Sequence, residues 1–422
     1  MLIGIAAQAA FRKNRTGVEE YVYQLINHLA MLPESLEHQF FLYVKGGVGL
    51  GKWLPRHTRS LPAARSFSPR QNSSDLAEDQ AILPGESSAF AFGEAAPKDG
   101  LRSHIPESLE KREGKNFIIK TLYAPIFWTQ MGLTPEMFCY KPDVLFIPAH
   151  VLPKVHPKNS VVTIHGLEFE YFPEFYPGFH QRYLRWVTKY AAQNAQKIIA
   201  VSQNTKDDLV MLYGVNPEKI SVIHHGISIH TDLHRCEHRF AQMPYILFLG
   251  TKEKKKNTAG LIKAFELLKE KYKIPHKLIL AGGKPNRRFY KEEKIDKILK
   301  GLKRKNDIVN LDFISEEEKW NLLKNAQVFV YPSFYEGFGM PILEAQAAGT
   351  SVITSNVSAL PEVAGKGAIL VDPKNIEQIA QAIYKIIDDE DLRNGLIREG
   401  QENIKRFSWQ KCAQQTLDLL LK

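Results

Sequence analysis

Short runs of β-branched and aliphatic residues alternate with helical patterns along most of this 422-residue chain. Such alternation is what βαβ units require, and it predicts parallel sheets with helices on both faces. The runs form two series, at 2–7, 40–44, 143–147, 161–165, 197–202 and 220–225, then at 245–250, 277–282, 308–314, 328–333, 351–355 and 368–372. We therefore expect an α/β fold with two doubly wound, Rossmann-like domains facing a cleft, where ligands of such sheets bind.

The length also favours more than one domain, because a chain this long exceeds an ordinary single core. A polar stretch that ends in proline, 230–244, separates the two series. We place the first domain at 1–238 and the second at 239–405.

One segment, about 52–115, does not follow the alternation. It is rich in Pro and Ser, and its basic and acidic residues are segregated. A structureless stretch of this length predicts a disordered insertion, with a functional lid as the alternative.

The N-terminal apolar run has no basic residues before it, which favours a first buried strand over a signal peptide. No stretch approaches the roughly 18 to 20 apolar residues that span a bilayer. We expect a cytoplasmic protein. The aromatic-rich residues 117–133 are expected to pack in the core, and peripheral contact with the inner face of the membrane stays open.

The net charge of +10 favours an anionic partner, which could be nucleic acid, a phosphorylated small molecule or an anionic membrane. The basic run 284–305 has little aromatic interleaving, so nucleic acid is the least favoured partner. Three cysteines lie far apart without a CxxC pair, which indicates neither a disulfide framework nor a zinc site. The oligomeric state is not indicated.

The stretch YEGFGMPILEAQAAGT carries two carboxylates, Glu336 and Glu344. Pro341 predicts the first turn of a short helix over about 341–348. Gly337 and Gly339 would let the backbone approach a ligand, and the free N–H groups of the helix start would bind an anion. Carboxylates accept hydrogen bonds from sugar hydroxyls, although compensation of the helix dipole explains a glutamate there equally well.

A second candidate for phosphate binding is LFLGTKEKKKNTAGLIKAF. Its strand ends at Gly250, and Asn257 is a good N-cap for the helix that follows. Lys255 and Lys256, in a loop expected to be exposed, could neutralise a diphosphate. A run of lysines that only aids solubility is the alternative.

Two features of the first half point to the same cleft. Thr16 and Glu19 form a predicted capping box, with Gly17 in a βα turn that could also be an acceptor-binding loop. His165 ends a strand and precedes Gly166, which places it at the carboxyl edge of the first sheet. A lone histidine is more often structural than catalytic, but this position favours the cleft.

Together these segments resemble the family 4 (group 1) glycosyltransferases of the GT-B fold. The E-x7-E element from Glu336 to Glu344 is the most specific match, and VTIHGLEFEYFPEFYP, IIAVSQNTKDDLVMLYGVNPEKISVIHHGI and RFSWQKCAQQTL also match. The family's usual aspartate after the histidine is replaced by Gly166, and an arginine is replaced by Thr251. The resemblance implies that a terminal helix, within 406–422, crosses back to the first domain.

The resemblance also implies a role for each matching residue. Glu344 would bind the donor ribose, Glu336 and His165 the transferred sugar, and Lys256 the diphosphate, while Thr16 and Gly17 would belong to the acceptor side. The remaining donor-binding residues would be Gly250, Thr251, Lys255, Gly337, Phe338, Gly339 and Met340.

The implied reaction is transfer of a hexose, of mannose or glucose type, with retention and without a metal or other cofactor. The donor would be a GDP- or UDP-linked sugar and the acceptor a glycan or a lipid-linked molecule. The front-face mechanism described for the family uses the leaving diphosphate to help take the acceptor's proton. A nucleotide-sugar epimerase of the same fold is the nearest alternative, and a nucleic-acid-binding protein a more distant one.

Overall fold

The computed structural model describes residues 1–12, 15, 17–46, 116–124, 127–229, 243–283, 289–302 and 304–422. The predicted insertion at 52–115 and Thr16 lie outside this part of the chain. So do 230–242, which contain the predicted domain boundary at 238–239.

The first sheet has seven parallel strands in the order β3-β2-β1-β4-β5-β6-β7. The strands are β1 Leu2–Ala6, β2 Gln39–Lys45, β3 Phe117–Leu122, β4 Val144–Ile147, β5 Ser160–Ile164, β6 Lys197–Ala200 and β7 Ile220–Val222. Adjacent residues point to opposite faces of a strand, and Leu145 and Phe146 pack into different apolar clusters. Both faces of this sheet are therefore covered.

The second sheet has six parallel strands in the order β10-β9-β8-β11-β12-β13. They are β8 Tyr245–Leu249, β9 Lys277–Ala281, β10 Ile308–Leu311, β11 Val328–Tyr331, β12 Val352–Ser355 and β13 Ala368–Val371. In both sheets the strand order reverses beside the first strand of its series, and Rossmann-like folds bind ligands outside such a switch point.

The described α-helices lie between and after these strands. They are α1 Gly17–Met31, α2 Thr134–Cys139, α3 Glu168–Tyr171, α4 Gly178–Asn194, α5 Gln203–Tyr213, α6 Thr258–Tyr272, α7 Ile295–Lys300, α8 Glu316–Asn325, α9 Met340–Ala347, α10 Leu360–Ala364, α11 Ile376–Asp388, α12 Glu390–Asn403 and α13 Trp409–Leu421.

Helix α13 returns to the first domain, as expected. Its buried residues share an apolar cluster with helix α1 and strands β1 and β2; they are Trp409, Cys412, Ala413, Leu417 and Leu420. A Cβ on Gly226 would lie 2.1 Å from the backbone N of Trp409, so a side chain there would displace the helix. The predicted GT-B arrangement, two doubly wound domains joined by a returning helix, is confirmed.

Two local predictions were incomplete or wrong. Strand β3 was not predicted, because its residues were assigned to an aromatic-rich packing segment; it pairs in parallel with β2 at the sheet edge. Asn257 precedes α6 as expected, but its side chain makes no cap hydrogen bond. With φ of 57°, its amide instead donates to the carbonyls of Pro332 and Pro373 at 3.1 and 2.6 Å, which ties this loop to the neighbouring strand ends.

Candidate active site

Lys256 and Glu336 meet at the carboxyl edge of the second sheet. Lys256 follows β8, and its Nζ donates to Glu336 Oε1 at 2.6 Å and to the hydroxyl of Tyr331 at 2.7 Å. Tyr331 is the last residue of β11, and its hydroxyl lies 3.1 Å from the same carboxylate oxygen. The expectation of an exposed loop was wrong, since only 12% of the Lys256 side chain is accessible.

Lys255 crosses to the first domain. Its Nζ lies 3.2 Å from Oε1 of Glu168, the first residue of α3, and 3.9 Å from Oε2 of Glu253. Glu168 was not among the predicted site residues, although the motif HGLEFE places a carboxylate just beyond the end of β5. The two domains thus meet through a largely buried ion pair.

Burial acts against these charges, and their partners outweigh it. Desolvation raises the pKa of Glu168, but the ammonium of Lys255 lowers it by more. The pKa of Glu168 in the folded protein is therefore lowered, to about 2. The pKa of Glu336 is likewise lowered, because Lys256 and Lys255 overcome the effect of burial. Burial lowers and the nearby carboxylates raise the pKa of each lysine, and the net shift is upward. All four groups are charged at neutral pH.

Glu344 belongs to a separate ion pair. It lies on α9, and its Oε1 is 2.8 Å from Nζ of Lys319 on α8; Glu316 holds the same ammonium at 2.7 Å. Helix α9 begins one residue earlier than expected, with Pro341 in its first turn and Gly349, at φ of 75°, just beyond its end.

The turn before α9 is pressed against the first domain. A Cβ on Gly337 would lie 1.6 Å from the carbonyl oxygen of His165, so the close backbone approach in the structure is between the two domains. Gly339 adopts φ of 111° as the helix N-cap. The side chain of Phe338 is buried against His225, and Met340 packs partly into the adjoining apolar clusters.

His165 lies in a cluster of aromatic rings at the end of β5. Its Nε2 is 2.8 Å from the carbonyl of Pro148, its backbone N–H donates to His150, and its ring packs edge-on to Tyr21 at 4.9 Å. Burial and the neighbouring His150 lower its pKa to about 3. His165 is therefore neutral at pH 7, and because Nε2 donates to Pro148, only Nδ1 is left as an acceptor.

The other predicted residues lie nearby or lack a polar role. The backbone N–H of Gly250 continues the ladder to Ala281, and the Thr251 hydroxyl donates to Glu253 at 2.6 Å. Gly17 begins α1, and a Cβ there would meet nothing within 4 Å. Among the described residues, no cluster of three or more His, Cys, Asp or Glu side chains is placed to hold a metal ion.

Two further carboxylates hold the domains together, and neither had a sequence signal. Asp208 on α5 accepts from the hydroxyl of Tyr335 in the second domain at 2.5 Å. Glu362 on α10 accepts from the backbone N–H groups of Gln203 and Asn204 at the start of α5, and from His224 at 2.7 Å. Helix α5 is therefore tied to the second domain by polar contacts at two points.

Sequence comparison assigns this fold and site to a class of sugar-transferring enzymes. The family described as "Glycosyltransferase Family 4" matches residues 95–231, and that described as "Glycosyl transferases group 1" matches 232–403. The O-antigen chain mannosyltransferase B of Escherichia coli is 30% identical over 287 residues, 66% of this chain and 74% of that protein.

Other relatives agree in class or in fold. The O-antigen chain mannosyltransferase RfbU of Salmonella typhimurium is 29% identical over 268 residues, 61% of this chain and 70% of that protein. Anabaena HepE, solved in complex with UDP-glucose, superposes with a TM-score of 0.65 at 16% identity and covers 100% of this chain and 99% of its own. The chain belongs to the group 1, family 4 glycosyltransferases and is an enzyme of the hexosyltransferase class.

The ion pair between Glu168 and Lys255 predicts a pH-dependent contribution to stability. The pKa of Glu168 is about 2 in the folded protein against an ordinary value of 4.5. Its contribution should therefore be full above pH 4.5 and be lost as the pH falls towards 2, with a maximum of about 3 kcal/mol. Urea unfolding of the wild type and Glu168→Gln at several pH values measures it.

Glu174→Gln removes an exposed carboxylate from the same segment and is expected to change stability by at most about 0.5 kcal/mol. A difference between wild type and Glu168→Gln that stayed constant from pH 6 to pH 3 would contradict the assignment.

Proposed function

We propose that this enzyme transfers a hexose of mannose or glucose type from a nucleotide-diphosphate sugar to a glycan or a lipid-linked acceptor, with retention and without a metal ion. One observation carries the proposal. Two lysines that follow β8 are buried against the carboxylates of Glu168 and Glu336, beside the start of α9. Buried ammonium groups in a cleft are ready partners for a second anion.

A donor diphosphate is the anion that this arrangement favours. It would accept hydrogen bonds from Lys255 and Lys256 and from the free N–H groups at the start of α9. Glu344, at the same helix, would accept from the ribose hydroxyls. The UDP-glucose complex of HepE supports a nucleotide-sugar donor, and the two mannosyltransferase relatives favour mannose.

The proposed chemistry breaks the bond between the anomeric carbon and the leaving phosphate oxygen. The acceptor oxygen bonds to the same face of that carbon, and its proton passes to the leaving diphosphate. The neutral His165 is a poor base, which supports giving the proton to the diphosphate. The lysines stabilise the charge that develops on the leaving group, and Glu336 stabilises the positive charge on the sugar.

Diphosphate release from a panel of GDP- and UDP-linked sugars, with and without acceptor, tests this function. We expect acceptor-dependent release that persists in EDTA, and an α-linked product from an α-linked donor. An epimerised sugar nucleotide without free diphosphate would instead assign the epimerase activity.

Glu344→Gln tests the ribose contact. Loss of a hydrogen bond to a charged group costs about 1.5 to 3 kcal/mol, so nucleoside diphosphate should bind about tenfold more weakly or worse. Glu316→Gln is the matched control, because it removes the other carboxylate on Lys319 but lies on the exposed side. Equal losses in the two variants, measured by calorimetry, would show that the effect acts through Lys319 and not through the ribose.

A further inference from the structure

Helix α4 carries an unusual outward face. Phe179, Arg182, Trp186 and Lys189 are spaced so that they form one stripe on the helix surface, and all are exposed. Phe179 is 74% accessible and Trp186 49%. The opposite face is buried in the first domain through Val187, Thr188, Ala191 and Ala192. Aromatic and basic side chains thus alternate along the solvent side.

Neighbouring segments extend this stripe. Phe127 and Met131 are 55% and 51% accessible, and the Phe127 ring lies 6.4 Å from that of Tyr183 on α4. The Nζ of Lys154 lies 5.5 Å from the centre of the Trp186 ring. We call this set the aromatic-basic surface; it comprises Phe127, Met131, Lys154, Phe179, Arg182, Trp186 and Lys189.

Large exposed apolar side chains grouped on one face mark an interaction site. Here the polar residues between them are cations, and no acid belongs to the set. In membrane-bound proteins, aromatic rings lie at the level of the lipid headgroups, and neighbouring cations attract anionic lipids. The neighbouring amides of Gln130 and Gln181 already donate to the carbonyls of Leu152 and Phe169, so they are poorly placed to bind a glycan. We propose that the aromatic-basic surface binds the headgroup region of an anionic membrane.

The surface ends at the mouth of the cleft. His180, at its Phe179 end, packs at 4.9 Å from the ring of Phe289 in the second domain. The next residue, Tyr290, lies 5.7 Å from Nζ of Lys255. An acceptor whose lipid part stays in the bilayer would therefore present its headgroup to the cleft. This last step rests on the proposed function, whereas membrane binding itself does not.

Flotation with vesicles of phosphatidylcholine, alone or mixed with phosphatidylglycerol, tests the surface. We expect the full chain to float only with the mixed vesicles and less at high salt. Phe179→Ser with Trp186→Ser should weaken binding at least tenfold. Arg182→Gln with Lys189→Gln should weaken it by about fivefold for each cation removed.

Matched variants at other sites test whether vesicle binding depends on this surface or only on exposed apolar area and net charge. Met211→Ser with Phe313→Ser removes two apolar side chains that are at least as exposed on average, and Lys366→Gln with Arg398→Gln removes two exposed cations. Both pairs should float like the wild type. If they float as poorly as the surface variants, or if the wild type ignores phosphatidylglycerol, the proposal is overturned.

Donor binding, measured by calorimetry with nucleoside diphosphate, distinguishes this proposal from the proposed function. The surface variants should retain wild-type donor affinity. If these variants floated normally but bound a soluble oligosaccharide more weakly, the surface would be a glycan-binding site. That result would also overturn the membrane assignment.

Discussion

Replacing Lys256 by alanine is expected to lower kcat/KM for the nucleotide-sugar by about 100- to 1,000-fold. The ammonium pairs with Glu336 at 2.6 Å, in the turn that leads into α9, where the diphosphate is proposed to bind. Its charge would act mainly on the leaving group, in which negative charge increases during the reaction. Steady-state kinetics with acceptor in excess measure the loss.

Stability must be measured alongside, because the substitution leaves Glu336 without its ammonium. Breaking one partner of a buried ion pair costs about 3 to 5 kcal/mol. Lys256→Met combined with Glu336→Gln removes both charges and should recover stability without activity. Lys254→Ala is the control in the same loop, since its side chain is exposed. Equal kinetics for Lys254→Ala and Lys256→Ala would reject the diphosphate assignment.

Substituting Gly337 by alanine is expected to lower kcat/KM by about 100-fold or more. The free energy of unfolding of each domain within the full chain should change little. The new methyl group would lie 1.6 Å from the carbonyl oxygen of His165, which is far too close, so the two domains must move apart. A displacement of about 1 Å at a reacting centre can cost about 100-fold. Small-angle scattering should show a larger radius of gyration for the variant.

Gly395→Ala is the matched glycine control, because a Cβ on that residue of α12 meets nothing within 4 Å. It should keep full activity and gain up to about 1 kcal/mol of stability. If Gly337→Ala scattered like the wild type and turned over at its rate, the tight approach of the domains would have no role in catalysis.

The alternation of apolar strand runs with helical patterns, and the order of these segments along the chain, were sufficient to predict most of the architecture. Every strand expected from the two series is present, with ends that differ by a few residues. Strand β3 is present in addition, although it was not expected. It follows the long segment 52–115 and precedes several aromatic residues, so its residues were interpreted as an aromatic packing segment. Edge strands have only one neighbour to specify them, which makes this kind of error expected.

The candidate site was predictable only in part. Glu336 and Lys256 could be found because each follows a strand of the second sheet, although their direct pairing could not. The contacts of Lys255 with Glu168, and of Asp208 with Tyr335, join residues from different domains. Local pattern carries no information about which two surfaces face each other, so such pairs appear only once the domains are assembled.

Helix α13 completes the apolar core of the first domain, although the second domain lies between them in sequence. During synthesis, helix α1 and strands β1 and β2 therefore emerge long before their packing partners Trp409 and Leu417. The roughly 360 residues between them take about 20 to 70 s to synthesise at about 5 to 20 residues per second. Throughout this interval, an apolar face of the first domain stays open, which makes the nascent chain a natural client for a chaperone that binds such faces.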